Sequence, residues 1–303
     1  MGYIDTFDFD GEYVTWTTDG IYAGTCFYRN GQFNCTNVCG TLKIIDDKII
    51  LYKYLSSILN EITPNYVVKV ANPKLMNNVM ADIKIPLPPL EIQQQIVAEV
   101  MSVDNQIQTL NNEIEELQQQ SQQVLSSAFK NISGYIALNN TNEFELSIGK
   151  RVISKEMNDN YSIPVYSANV FEPFGFIDKL LITDFSQASV LWGIDGDWQV
   201  NTIDANIPFY PTDHCGVLRV KNGIIHEKLL AYALNLEGVK NEFSRAKRAS
   251  LDRISDIKIP LPQGNQQKII AEFERLQQTI QQNEQQIATL KNEYNRILDK
   301  YLK

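Results

Sequence analysis

The heptapeptide Asp82-Ile83-Lys84-Ile85-Pro86-Leu87-Pro88 occurs again, unchanged, as Asp256-Ile257-Lys258-Ile259-Pro260-Leu261-Pro262. It is the last of four blocks that repeat in order. Gly2-Tyr3-Ile4-Asp5 is answered by Gly175-Phe176-Ile177-Asp178. Val14-Thr15-Trp16-Thr17-Thr18-Asp19-Gly20 is answered by Val190-Leu191-Trp192-Gly193-Ile194-Asp195-Gly196. Cys39-Gly40-Thr41-Leu42-Lys43 is answered by Cys215-Gly216-Val217-Leu218-Arg219. A series at near-constant offset, 173 to 176 residues, marks an internal duplication rather than shared turn chemistry. The chain must therefore fold as two related units. Residues that recur in both copies, Trp16 with Trp192 and Cys39 with Cys215, read as core packing positions.

Within each copy, short apolar or alternating runs such as 40–45 and 216–220 sit between Asp-Gly, Asn-Gly and Pro signals, which predicts strands. Short helices are expected over 50–61 and 226–235. After each Ile-Pro-Leu-Pro the period changes to a heptad seam. The first seam is Ile96, Val100, Val103, Ile107, Leu110, Ile114, Leu117, Ser121 and Val124. The second is Ile269, Phe273, Leu276, Ile280, Asn283, Ile287 and Leu290, continuing through Tyr294, Ile297 and Tyr301. They superpose at an offset of 173. Each helix is expected to run for roughly 40 residues, about 60 Å at 1.5 Å per residue. Pro88 and Pro89 suit the start of the first, where a missing N–H costs nothing.

A helix with one apolar stripe needs a partner in water. The first helix leaves the first unit and the second starts from the second unit, so mutual packing makes the pair antiparallel. Packing of each helix on a copy from another chain, a self-association through the helices, stays open. Asn283 is a polar break in the seam; it either fixes register or is tolerated beside a solvated gap. The expected fold class is α/β (α+β): two β-rich domains joined by two long antiparallel coiled-coil helices, related by a pseudo-twofold axis. The expected boundaries are 1–89, 90–132, 133–262 and 263–303.

Composition limits the function. A hydrophobic fraction of 44% supports real cores. No apolar run approaches a membrane span, and no basic, apolar leader opens the sequence, so a cytoplasmic location is expected. Cys35 and Cys39 lack a second pair to complete a zinc site, so no metal is expected and the thiols read as reduced and buried. The formal net charge is −9, which argues against nucleic acid until its distribution is considered. Residues 90–150 carry 8 acidic and 2 basic groups, whereas 151–262 carry 14 and 12. The excess acid therefore lies around the first long helix, and DNA affinity from this chain alone should be modest.

Several motifs together resemble the specificity subunits of type I restriction–modification systems, over essentially the whole chain. They are Val14–Gly20 followed by Tyr22-Ala23-Gly24-Thr25, Asn37-Val38-Cys39-Gly40, and the two Ile-Pro-Leu-Pro segments. Each of those segments leads into a Gln-rich helix, Ile92-Gln93-Gln94-Gln95-Ile96-Val97 and Asn265-Gln266-Gln267-Lys268-Ile269-Ile270. The resemblance implies that each domain is a target recognition domain reading one half of a bipartite site in double-stranded DNA. It implies that the helices measure the unread spacer and dock DNA methyltransferase (M) subunits, and that a restriction (R) subunit joins to cleave. S-adenosylmethionine, ATP and Mg2+ would belong to those partners, with no cofactor in this chain. One departure stands out. The second domain carries about thirty residues before its Gly-Phe-Ile-Asp block that the first lacks. Truncation, a contribution from another polypeptide, or one from a second copy would each account for it.

No catalytic residue is expected. There is no Walker-type loop and no His-Glu-x-x-His. Asn72-Pro73-Lys74 lacks the aromatic that an adenine methyltransferase places after Asn-Pro-Pro. Asp195 and Asp197 sit by turn glycines, where Asp is common anyway. DNA-contact candidates come from loops that can reach phosphates or base edges. The clearest is the basic stretch Arg245, Lys247, Arg248, Ser250 and Arg253, whose bland alternative is a solvated basic helix face. Its match in the first domain holds only Lys69 and Lys74. Beside the Trp blocks lie Thr17, Thr18, Tyr22, Arg29 and Asn30, with Trp198, Gln199 and Asn201 in the second domain. Ser167 and Asn169 are further candidates; for each of these a plain surface turn is an equal reading. Two other functions remain open: a non-enzymatic coiled-coil adaptor, and a specificity module split from a fused restriction–modification enzyme.

Overall fold

The computed structural model describes residues 4–302. Gly2 and Tyr3 of the first repeat block lie outside the described residues. Backbone contacts divide the chain into two compact units, Met1–Ile114 with Gln281–Lys303, and Glu115–Ile280. Each unit thus combines one globular domain with a stretch of both long helices. The expected division at residues 90, 133 and 263 follows chain segments rather than these units.

In the first unit, β1 (Tyr13–Thr17), β2 (Cys26–Arg29) and β3 (Cys39–Leu42) form an antiparallel sheet in the order β2-β1-β3. Helix α1 (Tyr52–Ile62) and the short α2 (Asn77–Ala81) follow, and α3 (Leu90–Ser127) is the first long helix. Alternation in β1 sends Val14 and Trp16 into a core shared with Cys26, Leu55, Leu59, Leu75 and Met80. Trp16 is paired across the ladder with Gly40, and a Cβ there would sit 2.3 Å from the indole ring. The glycine after Cys39 is therefore a space requirement.

The second unit holds β4 (Ile132–Ala137), β5 (Phe144–Ile148), β6 (Ile163–Tyr166), β7 (Gly175–Ile177), β8 (Ser189–Gly193), β9 (Val200–Ile203), β10 (Tyr210–Pro211) and β11 (Cys215–Val220). Helices α4 (Glu227–Lys240) and α5 (Leu251–Ser255), strand β12 (Lys258–Pro262) and the second long helix α6 (Gln266–Leu302) complete the chain. The main sheet runs β5-β11-β8-β9, β4 pairs with β12, and β10-β6-β7 form a smaller sheet. Both faces of β8 and β11 are covered, so every residue in them is buried. Val190, Trp192, Leu218 and Val220 meet α4 in the larger core. Leu191, Cys215 and Val217 face a second cluster with Val170 and Phe209. Trp192 pairs with Gly216, where a Cβ would sit 2.0 Å from the ring, repeating the Trp16–Gly40 arrangement.

The duplication is thus structural. Strands β8, β9 and β11 repeat β1, β2 and β3, and α4, α5 and α6 repeat α1, α2 and α3. The strand and short-helix expectations hold to within a few residues; the segment 84–88 forms no strand where its twin is β12.

Both long helices form, with their seams inward. Ile96, Val100, Val103, Leu110, Ile114, Leu276, Ile280, Ile287 and Leu290 are buried. Ile107, Leu117, Ile269 and Phe273 are half-buried. In the first unit, Glu99 accepts bonds from Lys300 at 3.1 Å and Tyr301 at 2.7 Å, and Glu113 accepts one from Asn283 at 3.2 Å. Rising numbers in α3 meet falling numbers in α6, so the helices run antiparallel there. In the second unit, Gln277 donates to Ser121 at 3.1 Å, and Leu125 and Ala128 share a core with Ile270. That pairing is antiparallel as well.

The first helix ends at Ser127 rather than reaching 132, because Ala128 enters the core of the second unit and Phe129 stacks on Tyr232 at 5.8 Å. The second begins at Gln266, after Gly264 takes a left-handed turn at φ 103°. Pro88 and Pro89 precede the first helical residue, and the carbonyl of Pro89 accepts the first bonds, from Ile92 and Gln93.

Candidate nucleic-acid interface

The basic stretch of the second domain lies between α4 and α5, and three contacts fasten it to the end of β8. The Trp192 indole donates to the carbonyl of Ala249 at 2.9 Å. The Ala249 amide donates to the carbonyl of Ile194 at 3.0 Å. The Arg248 guanidinium pairs with the Asp195 carboxylate, one Nη2–Oδ2 contact measuring 2.9 Å. His214 Nδ1 shares the Asp195 Oδ2 atom with Arg248. Burial pushes the Asp195 carboxyl up, but the bonds from His214 and Arg248 outweigh it and hold the group below its ordinary value.

The same three contacts recur in the first domain. The Trp16 indole donates to Leu75 O at 3.1 Å, the Leu75 amide donates to Thr18 O at 2.9 Å, and Lys74 pairs with Asp19. Hydrogen bonds from Lys74 and from Thr18 keep the Asp19 carboxyl below its usual range. Each Asp-Gly turn therefore anchors the loop that precedes the closing segment. The turn aspartates are latch residues as well as turn formers. Sequence reasoning matched the two loops and the two turns but missed that they meet. The signal was the nearly equal offsets of Asp19 to Asp195, 176 residues, and of Lys74 to Arg248, 174 residues. Nothing in the sequence pointed to His214.

The latch sorts the candidate contacts. Arg245 and Lys247 are exposed on the outer side of the loop, and neither has an ion-pair partner among the described residues. The Lys247 ammonium lies over the Phe243 ring, 6.0 Å from its centroid, a cation–π contact on an otherwise exposed side chain. Arg248 is spent on Asp195, and Arg253 donates to the carbonyl of Arg248 at 2.8 Å. Ser250 is the N-cap residue of α5. In the first domain Lys69 and Lys74 are exposed, with Lys74 in the latch.

Tyr22 and Asn30 are exposed, Thr17 is half-buried, and half-buried Arg29 lies over the Phe27 ring at 5.1 Å. Thr18 is buried and faces Asp19, so its hydroxyl shapes the turn. Trp198 is turned inward: its indole donates to Asn235 O at 3.0 Å, abuts Gly238 and packs 5.2 Å from Phe243. Asn201 donates to Val170 O at 2.8 Å, and Gln199 accepts from Val170 N at 3.3 Å, so both brace the chain after β6. Asn201 also lines an open cleft of about 950 Å3 with Gln118, Gln122, Lys228, Tyr232 and Gln277. Ser167 accepts from Thr212 at 3.1 Å, and exposed Asn169 caps its own turn through Phe171 N at 2.9 Å. The candidates thus do not form one patch; the basic loop and the Trp-block turn are brought together, and the residues around Val170 are separate.

The site holds cations, amides and hydroxyls suited to phosphates and base edges. Among the described residues no group of three or more His, Cys, Asp or Glu could hold a metal ion. No described helix is long and apolar enough to cross a membrane. Cys26 and Cys215 are buried, while Cys35 and Cys39, expected to be buried, are half-exposed with their sulfurs 3.0 Å apart.

A family model described as the type I restriction modification DNA specificity domain matches residues 1–119 and 143–292. The chain is 52% identical over 97 residues to the type I restriction enzyme MpnII specificity subunit of Mycoplasma pneumoniae. That stretch is 32% of this chain and 29% of the relative, and it covers 38% of another M. pneumoniae protein matched at 52%. The chain thus spans about a third of the length of the curated relatives it matches. Among solved structures it resembles the S subunit of a type I restriction–modification system from M. genitalium. The TM-score is 0.63 at 17% identity, covering 100% of this chain and 86% of that one. A chain from a structure of type I restriction–modification complex assembly and conformational transition follows. It has a TM-score of 0.57 at 19% identity, covering 96% and 81%. At such identities the likeness concerns the fold alone.

Proposed function

The chain belongs to the type I restriction modification DNA specificity family, and from that premise we propose that it is the DNA-reading subunit of a type I restriction–modification complex. Each domain reads one half of a bipartite target in double-stranded DNA. The loop Ser244–Ser250 with the turn after β8, and the loop at 69–74 with the turn after β1, face the duplex. Arg245 and Lys247 take phosphates, while Arg248 and Lys74 hold their loops in place. The remaining exposed candidates, Tyr22, Asn30, Lys69 and Asn169, supply contacts specific to each half-site. Helices α3 and α6 set the unread spacer and carry the surface for methyltransferase subunits, with a restriction subunit joining them. The chain performs no chemistry itself; S-adenosylmethionine, ATP and Mg2+ are assigned to the partners.

One observation supports this reading above the others. The same latch occurs in both domains, yet the loops it holds carry different side chains, Val70-Ala71-Asn72-Pro73-Lys74 against Ser244-Arg245-Ala246-Lys247-Arg248. A common frame with divergent loops is what two readers of different sequences require. The net charge of −9 makes partner-supplied phosphate contacts necessary, so the test uses the complex. The chain is co-purified with a type I methyltransferase subunit and the methylated adenines are mapped. A split motif with two short specified parts is expected. A motif with a single specified part, or a palindrome, would overturn the two-reader assignment.

A further inference from the structure

The first domain carries a thiol pair that its twin lacks. Cys39 and Cys215 are equivalent positions, yet Cys215 is fully buried in its core, whereas Cys39 is half-exposed at the start of β3. At the same offset of 176 residues, Cys35 is answered by Pro211. The duplication therefore accounts for one of the two sulfurs and not for the other.

The fold brings the pair into contact. The Cys39 amide donates to the Thr36 carbonyl at 3.1 Å, closing a turn at Asn37-Val38, and the Cys39 thiol donates to the Cys35 sulfur at 3.0 Å. Both residues line an open recess of about 520 Å3 with Thr15, Arg29 and Phe33, so a dissolved reagent reaches them. Burial and the neighbouring Cys39 sulfur push the Cys35 thiol up to about 12, against the pull of the Arg29 guanidinium. The first nucleophilic attack therefore falls to Cys39. The turn that the pair brackets is tied to the latch. The Thr18 amide donates to the Val38 carbonyl at 3.0 Å, Thr17 faces Cys39 across the ladder, and the Thr18 hydroxyl bonds Asp19.

We propose that Cys35 and Cys39 are a redox modification site, closed to a disulfide by a small-molecule disulfide RSSR, and that the closed form clamps the turn behind Asp19 in the first domain alone. The Cys39 thiolate attacks one sulfur of RSSR, whose S–S bond breaks, and RS− leaves and takes up a proton from water. Once Cys39 carries the RS group, its charge no longer opposes ionisation of Cys35. Cys35 gives up its proton and attacks the Cys39 sulfur, and the second RS− leaves and is protonated. Two protein thiols are oxidised, and one RSSR is reduced to two RSH. The site is independent of the DNA-reading role.

The test incubates the full chain with oxidised glutathione, alkylates the remaining thiols and weighs the tryptic peptide of residues 30–43, which contains both cysteines. Expected is a peptide lighter by two hydrogens and free of glutathione. In a Cys35→Ser variant the same treatment should leave glutathione on Cys39. Amide exchange at Thr18 should slow at least about three-fold in the oxidised chain, because a crosslinked turn opens less often. The equivalent amide of the second domain, Ile194 on the His214 carbonyl, should keep its rate. A peptide that stays reduced, retains glutathione or links two chains overturns the site. An unchanged Thr18 rate in the oxidised chain, or equal slowing at Ile194, overturns the clamp.

Discussion

At the scale of single residues, the latch separates cations that hold a loop from cations that face outward. Arg245 and Lys247 have no ion-pair partner among the described residues. Substituting Glu at both should weaken DNA binding by the complex to a similar degree on every sequence and flatten its salt dependence by about two units of slope. An unchanged slope in filter-binding or anisotropy titrations would remove the loop from the interface. Asp195 behaves differently. Its carboxyl is held below its unfolded value, so the stability it contributes is present above that value and disappears as pH falls through the folded one. An Asp195→Ala variant should therefore melt below the parent chain at neutral pH, and the two curves should converge under acid conditions. A deficit that persists at low pH would mean the side chain acts by packing. The composition of this site was readable in the sequence; the division of labour was not. Lys247 and Arg248 are neighbours of equal charge, and only the fold brings one of them to an aspartate 53 positions away.

At the scale of elements, one glutamine in each repeat fixes a long helix to its domain. Gln93 is fully buried; its carbonyl accepts from Leu51 N at 2.9 Å, and its amide donates to Ile49 O at 2.9 Å and Pro88 O at 2.8 Å. Gln266 repeats the pattern on His226 N at 2.7 Å and Ile224 O at 3.1 Å. Each supplies an acceptor at the N-terminus of α1 or α4, where the first backbone donors lack intrahelical partners. Gln93→Leu strands these groups and should cost about 2–3 kcal/mol in urea unfolding. A loss below about 0.5 kcal/mol, the level of an ordinary surface change, would refute that role. Periodicity made both helices legible, because seams of nine and ten expected positions keep their phase over four heptads or more. It could not expose the glutamines, since Gln93 stands among Gln94 and Gln95 and a pattern of residue types does not distinguish them. The stop at Ser127 escaped for a related reason: Ala128 and Phe129 look like more helix, and tertiary packing ends it.

At the scale of the whole molecule, the duplication was the most legible feature, because four blocks keep their order at nearly one offset. Helix α3 has 38 residues, about 57 Å of rise. If the helices set the spacer, deleting one heptad from each facing segment, 104–110 and 287–293, should shorten the unread gap by about 3 base pairs, from 1.5 Å per residue against 3.4 Å per base pair. Mapping methylation for that variant gives the answer, and an unchanged gap would deny the helices this part. The latch carries a last implication. Its fixed points on the loops include main-chain atoms, the carbonyls of Leu75 and Ala249 and their own amides, which every residue but proline possesses. The frame therefore places little demand on what lies between them, and a loop can be rewritten, or a segment from one domain grafted into the other, while the scaffold folds as before.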